Sequence, residues 1–98
     1  MSDFRKKYAD IVGEKRVDYL RMQGYFAAQI KKRRRELGWS QQQLADLIGK
    51  PNSTIGRIEA GLTFPGLDTL YDISKALNIP FVIDGRNDHN PHGSFAKI

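Results

Sequence analysis

The chain has 98 residues, of which 40% are apolar and 28% charged. These values fit one compact domain with short extensions and exclude a chain that is disordered throughout. Sixteen lysines and arginines against eleven acidic residues give a net charge of +5, which favours an anionic partner such as nucleic acid or a membrane surface. The sequence has no cysteine, and no apolar run approaches the roughly 20 residues that span a bilayer. We therefore expect a cytoplasmic protein without disulfides or thiolate metal sites.

Residues 1–23 are predicted to form an N-terminal helical extension. Their apolar side chains recur at helical spacing: Phe4, Tyr8, Ile11 and Val12, then Val17 and Leu20 after Gly13. This stripe predicts one or two amphipathic helical pieces. It either packs on the protein's own core or on a dimer mate, or it binds another protein or a membrane surface.

Residues 24–79 contain four helical patterns with very short connections. The first runs from about Gly24 to Leu37, and Gly38 ends it. Its apolar face consists of Phe26, Ala27, Ile30 and Leu37, and its basic residues are Lys31, Lys32, Arg33, Arg34 and Arg35. The basic run is either a solvated helix face or a source of phosphate contacts.

The second pattern opens at Ser40, which forms a predicted capping box with Gln43. It continues through the apolar residues Leu44, Ala45, Leu47 and Ile48 to Gly49. The third starts around Pro51 and Asn52, buries Ile55 and Ile58, and stops at Ala60-Gly61. The fourth extends from Leu67 to Leu77, with Leu70, Ile73 and Leu77 on one face, before Asn78 and Pro80 close it.

The C-terminal region is predicted to begin with a short strand in residues 80–86. Such a strand is unstable alone, so it should pair with something, most economically with its symmetry mate in a dimer. Residues 87–98 form a polar, turn-like tail. His89 and His92 are spaced like metal ligands, but only Asp88 lies nearby, so we predict no metal site.

The second and third patterns together predict a helix-turn-helix. Two short helices joined by a turn that contains glycine, here Gly49-Lys50-Pro51, cross near a right angle, and the second helix enters the major groove of DNA. Asn52, Ser53, Gly56 and Arg57 would share the outward face of that helix. Asn and Arg are suited to bidentate contacts with adenine and guanine edges, respectively.

The stretch from Trp39 to Gly61 resembles the Cro/Xre-type, lambda-repressor-like helix-turn-helix family, and the resemblance extends from about Tyr25 to Val82. It implies an all-α, lambda-repressor-like helix-turn-helix bundle of about four to five helices. The predicted N-terminal helical extension and short C-terminal β-strand would flank this bundle.

The resemblance also implies roles for individual residues. Asn52, Ser53 and Arg57 would face base edges, and Gln41 would hold a phosphate at the start of the second helix. Lys50, Thr54 and Thr63 would be flanking backbone contacts. Arg34 would pair with Glu59, linking the first and third helices and presenting the guanidinium near a phosphate.

Two positions depart from the family pattern. Pro51 stands where the family usually has a Ser or Thr N-cap, which leaves Asn52 as an alternative cap that would be less free to read a base. Gly56 lies inside the recognition helix, at a cost of roughly 1 kcal/mol in helix propensity. It either permits close approach of the backbone to DNA or contributes no base contact.

We therefore expect a dimeric transcriptional repressor that binds double-stranded DNA at a palindromic operator, associated with the nucleoid and independent of any cofactor. Two alternatives keep the same fold. One is the antitoxin of a toxin–antitoxin pair, with the extension or the tail bound to the toxin, and the other is a coactivator that mainly holds a protein partner. The sequence lacks the nucleotide-binding and nucleophile motifs that would indicate an enzyme.

Overall fold

In the computed structural model, the backbone is described for residues 2–86 and the side chains for residues 16–86. The only regular secondary structure in this part of the chain is helical, which confirms the predicted all-α class. The helices are α1 (Ser2–Glu36), α2 (Gln41–Leu47), α3 (Asn52–Glu59) and α4 (Leu67–Leu77). No helix in the described part is long and apolar enough to cross a membrane.

Helix α1 is one continuous helix of 35 residues, whereas the sequence suggested separate pieces on either side of Gly24. An ideal helix of this length measures about 52 Å, and the longest dimension of the molecule is 53 Å. A single exposed glycine costs roughly 1 kcal/mol in a helix, too little to interrupt one that packs in its C-terminal half. The domain and its extension are therefore joined by unbroken helix.

The hydrophobic core lies between the C-terminal half of α1 and the three shorter helices. Its fully or almost fully buried side chains come from all four helices: Phe26, Ala27, Ile30, Leu44, Ala45, Ile55, Ile58, Leu70, Ile73 and Leu77. All of these were predicted from their helical spacing. Leu47 is the exception in the second pattern, because its side chain is 60% exposed, and Leu37 and Ile48 are only partly buried.

Local signals set the ends of the short helices. The predicted capping box is confirmed at α2, where the Gln43 backbone N–H donates to Ser40 Oγ at 3.0 Å and the Ser40 backbone N–H donates to Gln43 Oε1 at 2.7 Å. After α2 the chain turns at Gly49, whose φ of +68° lies in the left-handed region that glycine adopts at little cost. The capping box thus sets the start of α2, and Gly49 sets the short connection between α2 and α3.

The segment after α4 has no strand within residues 80–86, so the predicted β-strand is not observed there. Phe81 instead packs against Phe26 of α1, with ring centroids 5.3 Å apart and planes inclined at 62°. Phe26 also meets Phe64 at 6.0 Å in an edge-to-face arrangement. Burial of an aromatic ring on α1 is a tertiary contact that a pattern of β-prone residues does not reveal. The predicted tail at 87–98, with His89 and His92, lies outside the described residues.

Candidate nucleic-acid interface

The outer surface of α3 presents the three side chains that were expected to face bases. Asn52, Ser53 and Arg57 are all exposed. On the opposite side of the helix, Ile55 and Ile58 are buried in the core. Arg57 forms no ion pair within the described residues, so its guanidinium is available to a ligand. The helix therefore offers one arginine and two small polar side chains to solvent.

The start of α3 resolves the question of its cap. Pro51 is the N-cap, with φ −58° and ψ 150°, and Asn52 is already the first helical residue. No side chain makes a capping hydrogen bond there, so the alternative in which Asn52 caps the helix is wrong. Proline suits the helix start because its φ is preset and the missing N–H would have no partner in the first turn. The Asn52 side chain consequently makes no capping hydrogen bond.

Gly56 lies against α2. A Cβ atom built on Gly56 would be 3.3 Å from Gln41 Oε1 and 3.9 Å from Gln41 Cδ. The neighbour of this glycine is thus a side chain of the protein itself, on the flank of α3 that faces α2. Neither sequence-based interpretation of Gly56 included this contact, because the two residues are far apart in the chain.

Arg34 and Glu59 form a buried pair between α1 and α3. Arg34 Nε donates to Glu59 Oε2 at 2.7 Å, and Arg34 Nη2 donates to Glu59 Oε1 at 2.9 Å. Arg34 Nη1 donates to the Trp39 carbonyl oxygen at 2.7 Å. The side chains are only 9% and 3% exposed. The hydrogen bond to Glu59 raises the pKa of Arg34 above its usual value, against the opposing effect of burial.

Gln41 joins this pair from the start of α2. Its Nε2 donates to Glu59 Oε1 at 3.1 Å, so one carboxylate holds together α1, α2 and α3. The sequence assigned Gln41 only to a phosphate, through the family resemblance. The structure gives its side chain an internal partner and half-buries it.

The basic run of α1 divides into two groups. Arg33 and Arg34 turn inward, and Arg33 Nε donates to the carbonyl oxygen of Leu77 at 2.9 Å. A cation at the last carbonyls of α4 satisfies an acceptor and complements the helix dipole. Sequence reasoning missed this role, which only the packing of α1 against α4 reveals. Lys31, Lys32 and Arg35 are exposed, so three of the five charges face solvent.

The remaining residues expected to contact the DNA backbone border the two short helices. Lys50 is in the turn before α3, Thr54 is in its first turn, and Thr63 follows its C-terminal end. Lys50 and Thr54 are partly buried, whereas Thr63 is exposed. Lys50 and Thr63 therefore flank α3 in the chain and Thr54 lies within its first turn, with Thr63 the most accessible of the three.

Comparison with known proteins shows the family to which this chain belongs. The sequence profile of the helix-turn-helix family matches residues 30–83, more than half of the chain. The chain belongs to the Cro/Xre-type helix-turn-helix family. The match begins near the C-terminal end of α1 and extends beyond α4. The family's region therefore includes α2, α3 and α4 and leaves residues 2–29 of α1 outside, among them the core residues Phe26 and Ala27.

Two curated members of the family are similar to this chain. The HTH-type transcriptional regulator SutR of Escherichia coli (strain K12) is 33% identical over 57 residues, which are 58% of this chain and 32% of SutR. The SPbeta prophage-derived uncharacterized HTH-type transcriptional regulator YonR of Bacillus subtilis (strain 168) is 37% identical over 54 residues, 55% of this chain and 50% of YonR. The chain thus spans half or less of each relative. No solved structure matches it significantly.

Proposed function

We propose that this protein is a sequence-specific DNA-binding transcriptional regulator that inserts α3 into the major groove. The observation that carries this proposal is the exposed row Asn52, Ser53 and Arg57 on a helix whose other side is anchored in the core. Arginine pairs with guanine and asparagine with adenine through bidentate hydrogen bonds. Because Arg57 has no acidic partner in the described region, it is our principal candidate for base reading.

Electrostatics supports a phosphate-bearing partner. The chain carries a net charge of +5, and Lys31, Lys32 and Arg35 project into solvent from α1. Cations that neutralise phosphates release counterions, so binding should weaken steeply as the salt concentration rises. We assign Lys50, Thr54 and Thr63 to phosphates beside α3, and Gln41 to a phosphate at the start of α2. The burial of Arg34 favours a role in fixing α3 over direct contact with a phosphate.

We further propose a homodimer that represses from a palindromic operator, with half-sites about one helical turn apart, in the cytoplasm at the nucleoid. Leu67 and Tyr71 support a second copy as partner, because they are four residues apart on one face of α4 and are 76% and 65% exposed. Leu62, 74% exposed, lies in the preceding loop. A contiguous patch of exposed apolar side chains often marks a surface that a protein partner covers.

In vitro site selection with the purified protein, followed by binding of the selected site, tests the proposal. Arg57→Ala should weaken binding to the selected site by about 1–3 kcal/mol and broaden the preference at one base position. Arg21→Ala is the matched control, since it removes the same charge from an exposed position of α1, and it should leave the preference unchanged. A selection profile that is identical for wild type and Arg57→Ala would refute the assignment of Arg57.

The antitoxin alternative has one observation in its favour. Val17, Tyr19 and Leu20, in the part of α1 that precedes the family's region, are each more than half exposed. Such a surface fits a protein partner as well as a second copy. Co-expression with the product of the neighbouring gene distinguishes a toxin partner from a second copy of this chain. A toxin would form a complex that Leu20→Asp disrupts while DNA binding persists. A coactivator would instead show salt-insensitive partner binding and little DNA preference.

A further inference from the structure

Gln41, Gly56 and Glu59 form a contact group between α2 and α3. Gly56 and Glu59 are three residues apart and therefore lie on the same flank of α3. The Gln41 side chain spans both positions, with Oε1 3.3 Å from the place where a Cβ of residue 56 would be and Nε2 3.1 Å from Glu59 Oε1. The carboxamide of Gln41 thus occupies the space that a side chain at position 56 would fill.

The direction of the Gln41 carboxamide follows from the chemistry of its partner. A carboxylate only accepts hydrogen bonds, so Gln41 must turn its nitrogen, and not its oxygen, toward Glu59. The Glu59 carboxylate is itself fixed, because Arg34 binds both of its oxygens. The Glu59 side chain is also only 3% exposed. A flexible glutamine is thereby held by a rigid acceptor, and the second N–H of its Nε2 is left for another acceptor.

We propose that Gly56 is a positioning residue for Gln41: its missing side chain gives the carboxamide room to lie along α3, while Glu59 sets its orientation. The remaining N–H of Gln41 is then preorganised as a donor to a DNA phosphate. This inference rests on the proposed function, and it explains why a helix that reads DNA retains glycine in its middle. Preorganised donors bind more tightly because less conformational freedom is lost on binding.

Substitution at position 56 separates this role from the intrinsic cost of glycine. Alanine removes the helix penalty of glycine and presses on Gln41 only at the flexible end of its side chain. Valine has branches beyond Cβ and must displace the carboxamide, yet its helix propensity is somewhat better than that of glycine. Gly56→Ala should therefore raise the melting temperature by a few degrees, and Gly56→Val should bind DNA less well without a large loss of stability.

The first measurement follows the side-chain NH₂ resonances of Gln41 by NMR in the full chain without DNA. We expect Gly56→Val and Glu59→Gln to shift these resonances or merge them with those of solvent-exposed glutamines, while the backbone amide pattern of α4 stays unchanged. Gln41 resonances that are unaffected by Gly56→Val would overturn the proposal. Because this measurement needs no DNA, it decides the positioning role even if the protein selects no DNA site, a result that would instead refute the proposed function.

The second measurement is a double-mutant cycle of DNA affinity at the selected site. Gly56→Val should weaken binding roughly threefold to tenfold, as expected for the loss of one hydrogen bond. In a Gln41→Ala background, the same substitution should change affinity by less than about twofold, because there is no carboxamide left to displace. An equal loss in both backgrounds would mean that valine itself obstructs DNA, and the positioning role would be wrong. Unchanged affinity in both would likewise refute it.

Discussion

Removal of Glu59 should be the most damaging single change to the described part of this protein outside its hydrophobic core. Glu59→Ala would leave the Arg34 guanidinium, 9% exposed, with the Trp39 carbonyl oxygen but without its carboxylate. Three hydrogen bonds to Glu59 would be lost, two from Arg34 and one from Gln41. Breaking a buried pair by deleting one partner costs about 3–5 kcal/mol. We expect a decrease of this size in the free energy of unfolding, measured by urea denaturation with circular dichroism.

The same chain offers a matched control. Arg33 and Glu36 also form an ion pair, with Arg33 Nη1 3.5 Å from Glu36 Oε1, but their side chains are 32% and 50% exposed. Exposed pairs contribute at most about 1 kcal/mol, so Glu36→Ala should change the free energy of unfolding by less than that amount. If Glu59→Ala costs no more than Glu36→Ala, the argument from burial is refuted.

A double substitution separates the cost of an unpaired charge from the value of the pair. Replacing Arg34 with Met and Glu59 with Leu removes both charges and keeps apolar volume. Buried ion pairs replaced in this way often leave stability unchanged or increase it. We expect the double variant to recover most of the stability lost in Glu59→Ala. A double variant as unstable as Glu59→Ala would show that the hydrogen bonds themselves, and not the unpaired charge, dominate.

Three further predictions concern the periphery of the bundle. Ser40→Ala removes the α2 cap and should lower the free energy of unfolding by about 1 kcal/mol, with the loss visible in thermal denaturation. Phe81→Ala removes the half-buried ring that packs against Phe26. It should lower the free energy of unfolding by less than the roughly 3–5 kcal/mol lost with a fully buried phenylalanine. An unchanged free energy of unfolding would mean that the segment after α4 does not pack on α1 in solution. Hydrogen bonds from Arg86 lower the pKa of the Asp84 carboxyl to about 2. This interaction favours the folded state above the ordinary aspartate pKa and is lost as the pH falls toward 2; Arg86→Ala should return the Asp84 titration, followed by NMR, toward its ordinary value.

Much of the bundle could be predicted from the sequence because its signals are local. The box of Ser40 and Gln43 fixes the start of α2, and Gly49 fixes the turn before α3. Apolar residues three and four apart, such as Ile55 and Ile58, identify the buried side of each helix. These signals act within one or two helical turns, so they can be read without knowing what lies across the core.

The tertiary structure decided the features that depend on residues far apart in the chain. Whether Gly24 interrupts α1 depends on the balance between a small local penalty and the packing of the C-terminal half of the helix. Whether residues 80–86 form a strand depends on available partners, and Phe81 finds one in Phe26. The inward turn of Arg33 toward Leu77 likewise depends on where α4 lies. No local pattern carries this information.

The sequence by itself determined that Asn52, Ser53 and Arg57 occupy the outer face of α3, the helix that we propose reads DNA, since helical periodicity assigns each side chain to a side. Only the tertiary structure decided how that helix is held. Glu59 binds Arg34 and Gln41 across intervals of 25 and 18 residues, and the contact of Gln41 with Gly56 arises from the crossing of α2 and α3. The physical reason is that directional hydrogen bonds between helices require the angle and distance of their packing.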